Sequence, residues 1–115
     1  MTIAIIQTHS EHDEQTWLGQ DMLLALASHD LNPQLILSGA GVLQGCYGHD
    51  AQRQQRSLHK RYGLLELFEC PNPWILRSDL ERFQLTVEDF IFAVDVIEPQ
   101  DWEQRLAAVN KVLVY

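Results

Sequence analysis

The sequence predicts an α/β fold: a three-layer open sheet, mainly parallel, of about five strands. Three observations predict it. Short apolar segments alternate with segments of helical periodicity along the chain, and parallel strands need such crossovers. The length of 115 residues suits a single domain spanning residues 1–115. Apolar residues make up 46% of the chain, which is enough to fill a core between layers.

The first part of the chain predicts a strand, a helix and a second strand. Ile3 to Ile6 is a short apolar run typical of a strand buried on both faces. Ser10 and Asp13 favour a helix start, and Asn32-Pro33 ends that helix. The helix is indicated by apolar residues at helical spacing, namely Trp17, Leu18, Met22, Ala25 and Leu26. Leu35 to Leu37 is the second strand.

The rest of the chain predicts three more strands. From Asp50 to about Leu67 the composition is polar and permits a long helix with a thin apolar stripe. Pro71-Asn72-Pro73 breaks the chain after it. The remaining predicted elements are a strand at Trp74–Leu76, a helix at Ser78–Phe83 with a capping-box spacing between Ser78 and Glu81, a strand at Phe90–Val94, a helix at Gln100–Val109 after Pro99, and a strand at Val112–Val114.

Charge and cysteine content exclude several classes of protein. Eight basic against sixteen acidic side chains give a net charge of −8, which argues against a broad basic face for nucleic acid or anionic membrane. The two cysteines, Cys46 and Cys70, are too few for a disulfide framework. The sequence shows no signal peptide and no apolar run of ~20 residues, so we expect a cytoplasmic protein.

Ligands of such sheets usually bind at the carboxyl ends of the strands. We expect those ends near Thr8–Asp13, Ser38–His49, Arg77–Asp79 and Asp95–Pro99. The first of these loops has no glycine and carries two acids, which disfavours a phosphate site. Glu11, Asp13 and Asp79 resemble part of a receiver domain's acidic set, but Lys111 precedes the last strand, where a receiver lysine would follow it.

Two short patterns contain possible metal ligands. His9, His12 and Asp13 lie within five residues, and Cys46 is followed by His49 at a two-residue gap. Three such residues within five positions of a loop often occur by chance, so a solvated loop is the favoured interpretation of the first pattern. No second pair completes four ligands with Cys46 and His49, so a small buried thiol beside a surface histidine is favoured for the second. The sequence predicts no metal site and no cofactor.

Cys70 is a weak catalytic candidate. A reactive thiol needs a nearby cation or helix amino terminus to lower its pKa. Cys70 instead follows Glu69, and the predicted helix at Ser78 begins well downstream. A packed, inert cysteine is therefore favoured over a sulfur-carrying one.

Four of the eight basic residues lie between positions 53 and 61. On a helix, Arg53, Arg56 and Lys60 share one face. Together with Arg61 they form either a solvated face or a contact surface for an acidic partner or an RNA backbone. Partner or RNA contact is the predicted functional role of these four residues.

Read together, several segments resemble the TusC/DsrF family of DsrE-like sulfur-relay proteins. The most specific is Gly41-Val42-Leu43-Gln44 after the second strand. The others are Tyr62-Gly63-Leu64-Leu65 before a cysteine-containing loop, Leu80-Glu81-Arg82, and the ending Asn110-Lys111-Val112-Leu113-Val114-Tyr115. The resemblance covers essentially the whole chain and implies a DsrE/flavodoxin-like fold. One departure is Phe83 after Arg82, where the family usually has glycine.

The resemblance also implies a function and partners. Family complexes are heterohexamers of three related subunits, here TusB/DsrH-like and TusD/DsrE-like siblings of this chain. They pass persulfide sulfur toward 2-thiouridine at the tRNA wobble position, or act in intracellular sulfur oxidation. The sulfur-carrying cysteine belongs to the TusD/DsrE sibling, and its position matches the vicinity of Ile75 here. We therefore expect a structural, non-catalytic subunit of a sulfurtransferase complex, with any tRNA contact made through the complex.

The sequence is also compatible with two other functions. One is a sulfur transferase that carries a persulfide on Cys70. The other is a stand-alone domain that binds a small ligand in a polar pocket at the strand ends.

Overall fold

The computed structural model describes all of residues 1–115. Its elements in chain order are β1 (Ile3–Gln7), α1 (Glu14–Ser28), β2 (Gln34–Leu37), a 3₁₀ helix (Gly39–Gly45), β3 (Gln52–Arg53), β4 (Arg56–Ser57), α2 (Leu58–Tyr62), α3 (Leu64–Leu67), β5 (Trp74–Leu76), α4 (Arg77–Arg82), a 3₁₀ turn (Val87–Asp89), β6 (Asp95–Ile97), α5 (Pro99–Ala107) and β7 (Lys111–Val114).

Five strands form one parallel sheet in the order β6-β5-β2-β1-β7. The connections from β1 to β2, β5 and β6 all step in the same direction, and the connection to β7 returns across the sheet. Right-handed crossovers therefore place α1 to α4 on one face and α5 alone on the other. The predicted three-layer, mainly parallel open sheet of about five strands is confirmed.

The main core lies between the sheet and the layer of α1 to α4. All four residues of β2 are buried, and Leu35 and Leu37 point into this core. Leu23 of α1 and Leu58 of α2 pack onto the same cluster. On the opposite face, α5 contributes no buried residue. The two faces of the sheet are thus covered unequally.

Several predicted elements agree with the structure. Asp13 caps α1, since its carboxylate accepts a hydrogen bond from the Gln15 amide at 2.8 Å. This cap fixes the direction in which the chain enters α1. Pro99 occupies the first turn of α5, where its missing N–H costs nothing.

The predicted long helix from Asp50 to about Leu67 is wrong. The chain instead forms the β3–β4 hairpin, whose turn residues Gln54 and Gln55 have φ of 52° and 65°. The short helices α2 and α3 follow it. Asp50 holds the hairpin to α2, because its carboxylate accepts from the Ser57 hydroxyl at 2.7 Å and the His59 amide at 2.9 Å. These hydrogen bonds stabilise a hairpin followed by short helices, where the composition also permits one long helix.

Two further expectations are corrected. The strand predicted at Phe90–Val94 lies further along the chain, at Asp95–Ile97, and Phe90 makes only an isolated bridge to Cys46. The aromatic segment before the strand covers Gly45, where a Cβ would lie 2.9 Å from the Phe92 ring. The predicted capping box at Ser78 is absent, because α4 already begins at Arg77 directly after β5.

No helix combines the length and the apolar character that a bilayer crossing requires.

Candidate functional site

At the carboxyl edge of the sheet, where ligands are expected, backbone and side-chain groups of the chain bond to one another. The Ser38 amide donates to the Gln7 carbonyl at 3.0 Å, and the Gly39 amide donates to Asp79 Oδ2 at 3.0 Å. At the β6 side, Arg77 Nε pairs with Glu98 Oε2 at 2.7 Å. Asp79 therefore holds the loop at Gly39 in place. This role differs from that of an aspartate in the acidic set of a receiver domain. Residues 95–97, expected in an edge loop, belong to β6 itself.

Gln44 lies at the centre of a buried polar cluster behind this edge. Its Nε2 donates to the His9 carbonyl at 2.6 Å and to the Thr16 hydroxyl at 3.2 Å. Its Oε1 accepts from the Tyr62 hydroxyl at 2.5 Å. Its backbone carbonyl accepts from His59 Nε2 at 2.9 Å. Gln44 thus ties the loop after β1, helix α1 and helix α2 to the 3₁₀ helix.

Gln7 at the end of β1 extends the same cluster. Its Nε2 donates to the Thr16 carbonyl at 2.9 Å and to the Tyr62 hydroxyl at 3.3 Å, while its Oε1 is buried without a partner. A Cβ at Gly19 would overlap the Gln7 amide, and a Cβ at Gly41 would overlap the Gln7 carbonyl. Glycine at both positions therefore lets the backbone close over Gln7.

The cluster has a positioning role and offers no reactive group. Burial raises the pKa of Tyr62, so its hydroxyl stays protonated and donates to Gln44. The sequence reasoning missed this cluster, although the Gly41-Val42-Leu43-Gln44 segment belongs to it. The available signal was a glutamine following an apolar strand and two glycines, which periodicity alone does not distinguish from a surface turn.

The main cavity lies elsewhere, beside the amino ends of β5 and β6. Its volume is about 690 Å³, a size typical of ligand sites. The lining residues are His59, Lys60, Tyr62, Gly63, Leu65, Glu66, Glu69, Cys70, Pro71, Asn72, Pro73, Ile91, Phe92 and Ala93. The Tyr62 and Phe92 rings meet edge to face, with centroids 5.8 Å apart. Tyr62 therefore connects the cavity wall to the Gln44 cluster.

Both cysteines lack the surroundings that activate a thiol. Cys70 lines the cavity and is half-buried, and burial raises its pKa. Cys46 is buried, and its thiol donates to the Val42 carbonyl at 3.4 Å. Burial, with the charges of Asp89 and Glu11, raises the pKa of Cys46 to about 11. Neither thiol forms appreciable thiolate near neutral pH.

The possible metal ligands of the sequence do not converge. His9 Nδ1 lies 3.8 Å from Asp13 Oδ2, and His49 pairs with the buried Glu11 at 2.6 Å instead of meeting Cys46. No group of three or more His, Cys, Asp or Glu side chains is arranged to hold a metal ion. The His49–Glu11 pair was not predicted, because the two residues are far apart in sequence.

The basic segment does not form the single helical face on which its prediction was based. Arg53 lies on β3 and Arg56 on β4, directly paired across the hairpin, while Lys60 and Arg61 are in α2. Helix α1 neutralises two of the four. Arg61 pairs with Asp21 at 2.6 Å, and Arg53 lies 3.7 Å from Glu14. Arg56 and Lys60 have no acidic partner within the chain, and partner or RNA contact by the four residues stays a prediction.

No protein-family model and no curated protein matches the sequence. Among solved structures, the chain is similar to the crystal structure of the YchN protein from E. coli, with a TM-score of 0.80 and 15% sequence identity. The similarity covers 99% of this chain and 97% of that chain. At this identity the likeness shows the fold, which is the DsrE/flavodoxin-like three-layer sheet.

Proposed function

We propose that this chain is a non-catalytic subunit of a sulfur-relay complex. The DsrE-like fold supports a sulfur-relay role. The observation that carries the proposal is the state of both thiols, since a persulfide carrier needs an accessible thiolate. Cys46 is buried with a pKa raised to about 11, and burial also raises the pKa of Cys70. In such a complex the carrier cysteine comes from a sibling subunit.

The cavity of about 690 Å³ beside α2 and α3 is the proposed place for the sibling's cysteine-bearing loop. Tyr62, Leu65 and Phe92 give it apolar walls that exclude water from a bound loop. Lys60 brings a cation that favours a persulfide anion over the neutral form. The chain would thus shelter a sulfur that it does not itself carry.

The proposed partners are TusB/DsrH-like and TusD/DsrE-like siblings in a heterohexamer. The proposed end product is 2-thiouridine at the tRNA wobble position, with sulfur oxidation as the alternative pathway. Arg56 and Lys60 are the free cations of the basic segment and the proposed points of contact with RNA or an acidic sibling surface.

Co-purification tests this proposal. We expect the chain to elute with a tagged TusD/DsrE-like sibling when the subunits are expressed together. Ala93→Trp fills the cavity, because Ala93 lies in its lining, and should weaken this association. Ala108→Trp is the control, since Ala108 is exposed at the end of α5. A chain that never elutes with the siblings, or an association insensitive to Ala93→Trp, contradicts the proposal.

A second candidate function is persulfide transfer through Cys70 itself, which is favoured by the place of Cys70 in the cavity lining. In that reaction the Cys70 thiolate attacks the outer sulfur of a donor persulfide, and the donor leaves as a thiol. Mass spectrometry after incubation with a cysteine desulfurase and cysteine separates the candidates. The non-catalytic proposal expects no added sulfur atom on Cys70 and unchanged relay by Cys70→Ser. Added sulfur together with loss of relay in that variant favours the second candidate.

A further inference from the structure

We infer that the free edge of β7 pairs antiparallel with β7 of a second copy of this chain. This contact is a property of the purified chain alone and is independent of the proposed function. β7 is the last strand of its side of the sheet and pairs only with β1. An unpaired strand edge presents N–H and C=O groups that can extend the sheet.

The backbone groups of β7 alternate between the inner and the outer side. The Lys111 amide donates to the Thr2 carbonyl at 3.2 Å, and the Tyr115 amide donates to the Ile6 carbonyl at 2.8 Å. Because alternate residues of a strand bond to the same neighbour, Val112 and Val114 direct their N–H and C=O groups outward. β7 has no second neighbouring strand in this chain to bond with them.

This pattern is complementary to itself. When two β7 strands run antiparallel with Leu113 opposite its own copy, Val112 of each faces Val114 of the other. Both residues then exchange N–H to C=O bonds with the opposite strand, which gives two fully bonded residue pairs. No outward group of Val112 or Val114 is left without a partner, and the two-fold axis passes beside Leu113.

The side chains favour the same arrangement. Val112 is 40% exposed and Val114 is 64% exposed, and both lie on the face of the sheet that only α5 covers. Pairing places each valine beside the other copy's valine. In the same register, Lys111 of each copy lies opposite Tyr115 of the other.

The opposite edge of the sheet is not suited to the same contact. β6 has three residues, and the Asp95 amide already donates to the Pro73 carbonyl at 2.9 Å. Only Val96 is left to direct its backbone groups outward, and the exposed Asp95 places a charge on this edge. Short, charged edges resist pairing. Since each copy offers one suitable edge, assembly through β7 stops at the dimer.

Sedimentation of the purified full chain over a range of concentrations tests the inference. We expect a monomer–dimer equilibrium without larger species. Val112→Pro removes an outward N–H while keeping the bonds to β1, so it should weaken dimerisation at least about tenfold. Val114→Lys provides a second, milder test at an exposed position. Val87→Lys, at a valine 47% exposed on another surface, is the control and should leave the dimer intact.

Disulfide trapping tests the register in which the two β7 strands pair. With Val112→Cys and Val114→Cys combined, oxidation should give a covalent dimer in which peptide mapping joins position 112 of one copy to 114 of the other. Val87→Cys should give no such dimer. A chain that is monomeric at every concentration overturns the inference. A dimer unaffected by both Val112→Pro and Val114→Lys, or a ladder of larger species, overturns it as well.

Discussion

At the residue scale, the Tyr62 hydroxyl holds the buried cluster together. It donates to Gln44 and accepts from Gln7, so Tyr62→Phe leaves the Gln44 Oε1 buried without a donor. We expect the free energy of unfolding to fall by about 1–3 kcal/mol. Urea denaturation measures this as a lower midpoint at an unchanged m-value.

The matched control is Tyr47→Phe, because Tyr47 is 67% exposed and its hydroxyl has no partner in the chain. We expect this substitution to change the free energy of unfolding by less than about 0.5 kcal/mol. Equal effects of the two substitutions would mean that the buried hydroxyl contributes no more than a solvated one.

The sequence predicted some residue roles and missed others. Asp13 was predicted as part of a helix-start signal with Ser10, because such signals are local, and the structure shows that Asp13 itself is the cap and accepts from the Gln15 amide. Gln7 and Gln44 are buried although glutamine is mostly a surface residue. Their partners Thr16 and Tyr62 come from distant segments, so only the tertiary structure reveals how their amide groups are bonded.

At the element scale, Asp50 connects the hairpin to α2. Burial disfavours its charge, but hydrogen bonds from the His59 amide, the Ser57 hydroxyl and the Ala51 amide outweigh it and hold its pKa below the ordinary 3.8. A carboxyl with a lowered pKa in the folded state stabilises the fold above the pKa of the unfolded state. That contribution is lost as the pH falls through the folded-state value.

We therefore expect Asp50→Ala to cost about 1 kcal/mol near neutral pH, in the range of a lost helix cap. The difference from the unsubstituted chain should shrink as the pH falls below 3.8. Urea denaturation at a series of pH values checks both statements. Glu103→Ala is the control, since Glu103 is exposed on α5 and has no ion pair. A cost that is the same at all pH values would show that the charge of Asp50 is not involved.

In the hairpin turn, two glutamines adopt a backbone conformation that suits other residue types better, and substitution should relieve this mismatch. Gln54 and Gln55 both have positive φ, a conformation that favours an asparagine followed by a glycine. The double substitution Gln54→Asn, Gln55→Gly supplies that pair, so it should raise the free energy of unfolding by about 0.5–1 kcal/mol. Gln104→Gly in α5 should instead lower it by about 1 kcal/mol. Thermal or urea unfolding shows whether each substitution raises or lowers the free energy of unfolding.

The mismatch between the Gln54-Gln55 pair and its turn conformation also explains why the region from Asp50 to Leu67 was predicted as a helix. A Gln-Gln pair carries no turn signal, and the surrounding polar composition is compatible with a helix.

The strand β6 was misplaced in the sequence prediction for another reason. The aromatic run from Phe90 to Phe92 resembles a strand but packs over Gly45 and Tyr62, and the less apolar Asp95–Ile97 makes the parallel pairing. β1, β2, β5 and α1 were predicted because periodicity and breakers agree there.

At the scale of the whole molecule, the two faces of the sheet differ in coverage. Four helices and the main core lie on one face, and α5 alone crosses the other without a buried residue. A contact on that face is Arg105 over the Trp74 ring, with its guanidinium carbon 5.4 Å from the ring centre. Local stability follows the amount of buried apolar contact, so α5 and β7 should open more readily than β1 and β2.

Hydrogen exchange measures this difference directly. In dilute solution, where the chain is monomeric, we expect the amides of β2 to exchange most slowly and those of α5 markedly faster. Within β7, the amides of Val112 and Val114 should exchange fastest, because they point outward, while the Leu113 amide is protected by β1. Raising the protein concentration should slow exchange at 112 and 114 through dimerisation and leave α5 unchanged. Protection of α5 equal to that of β2 would contradict the uneven coverage of the sheet, whereas exchange at 112 and 114 that ignores concentration would contradict only the pairing of β7.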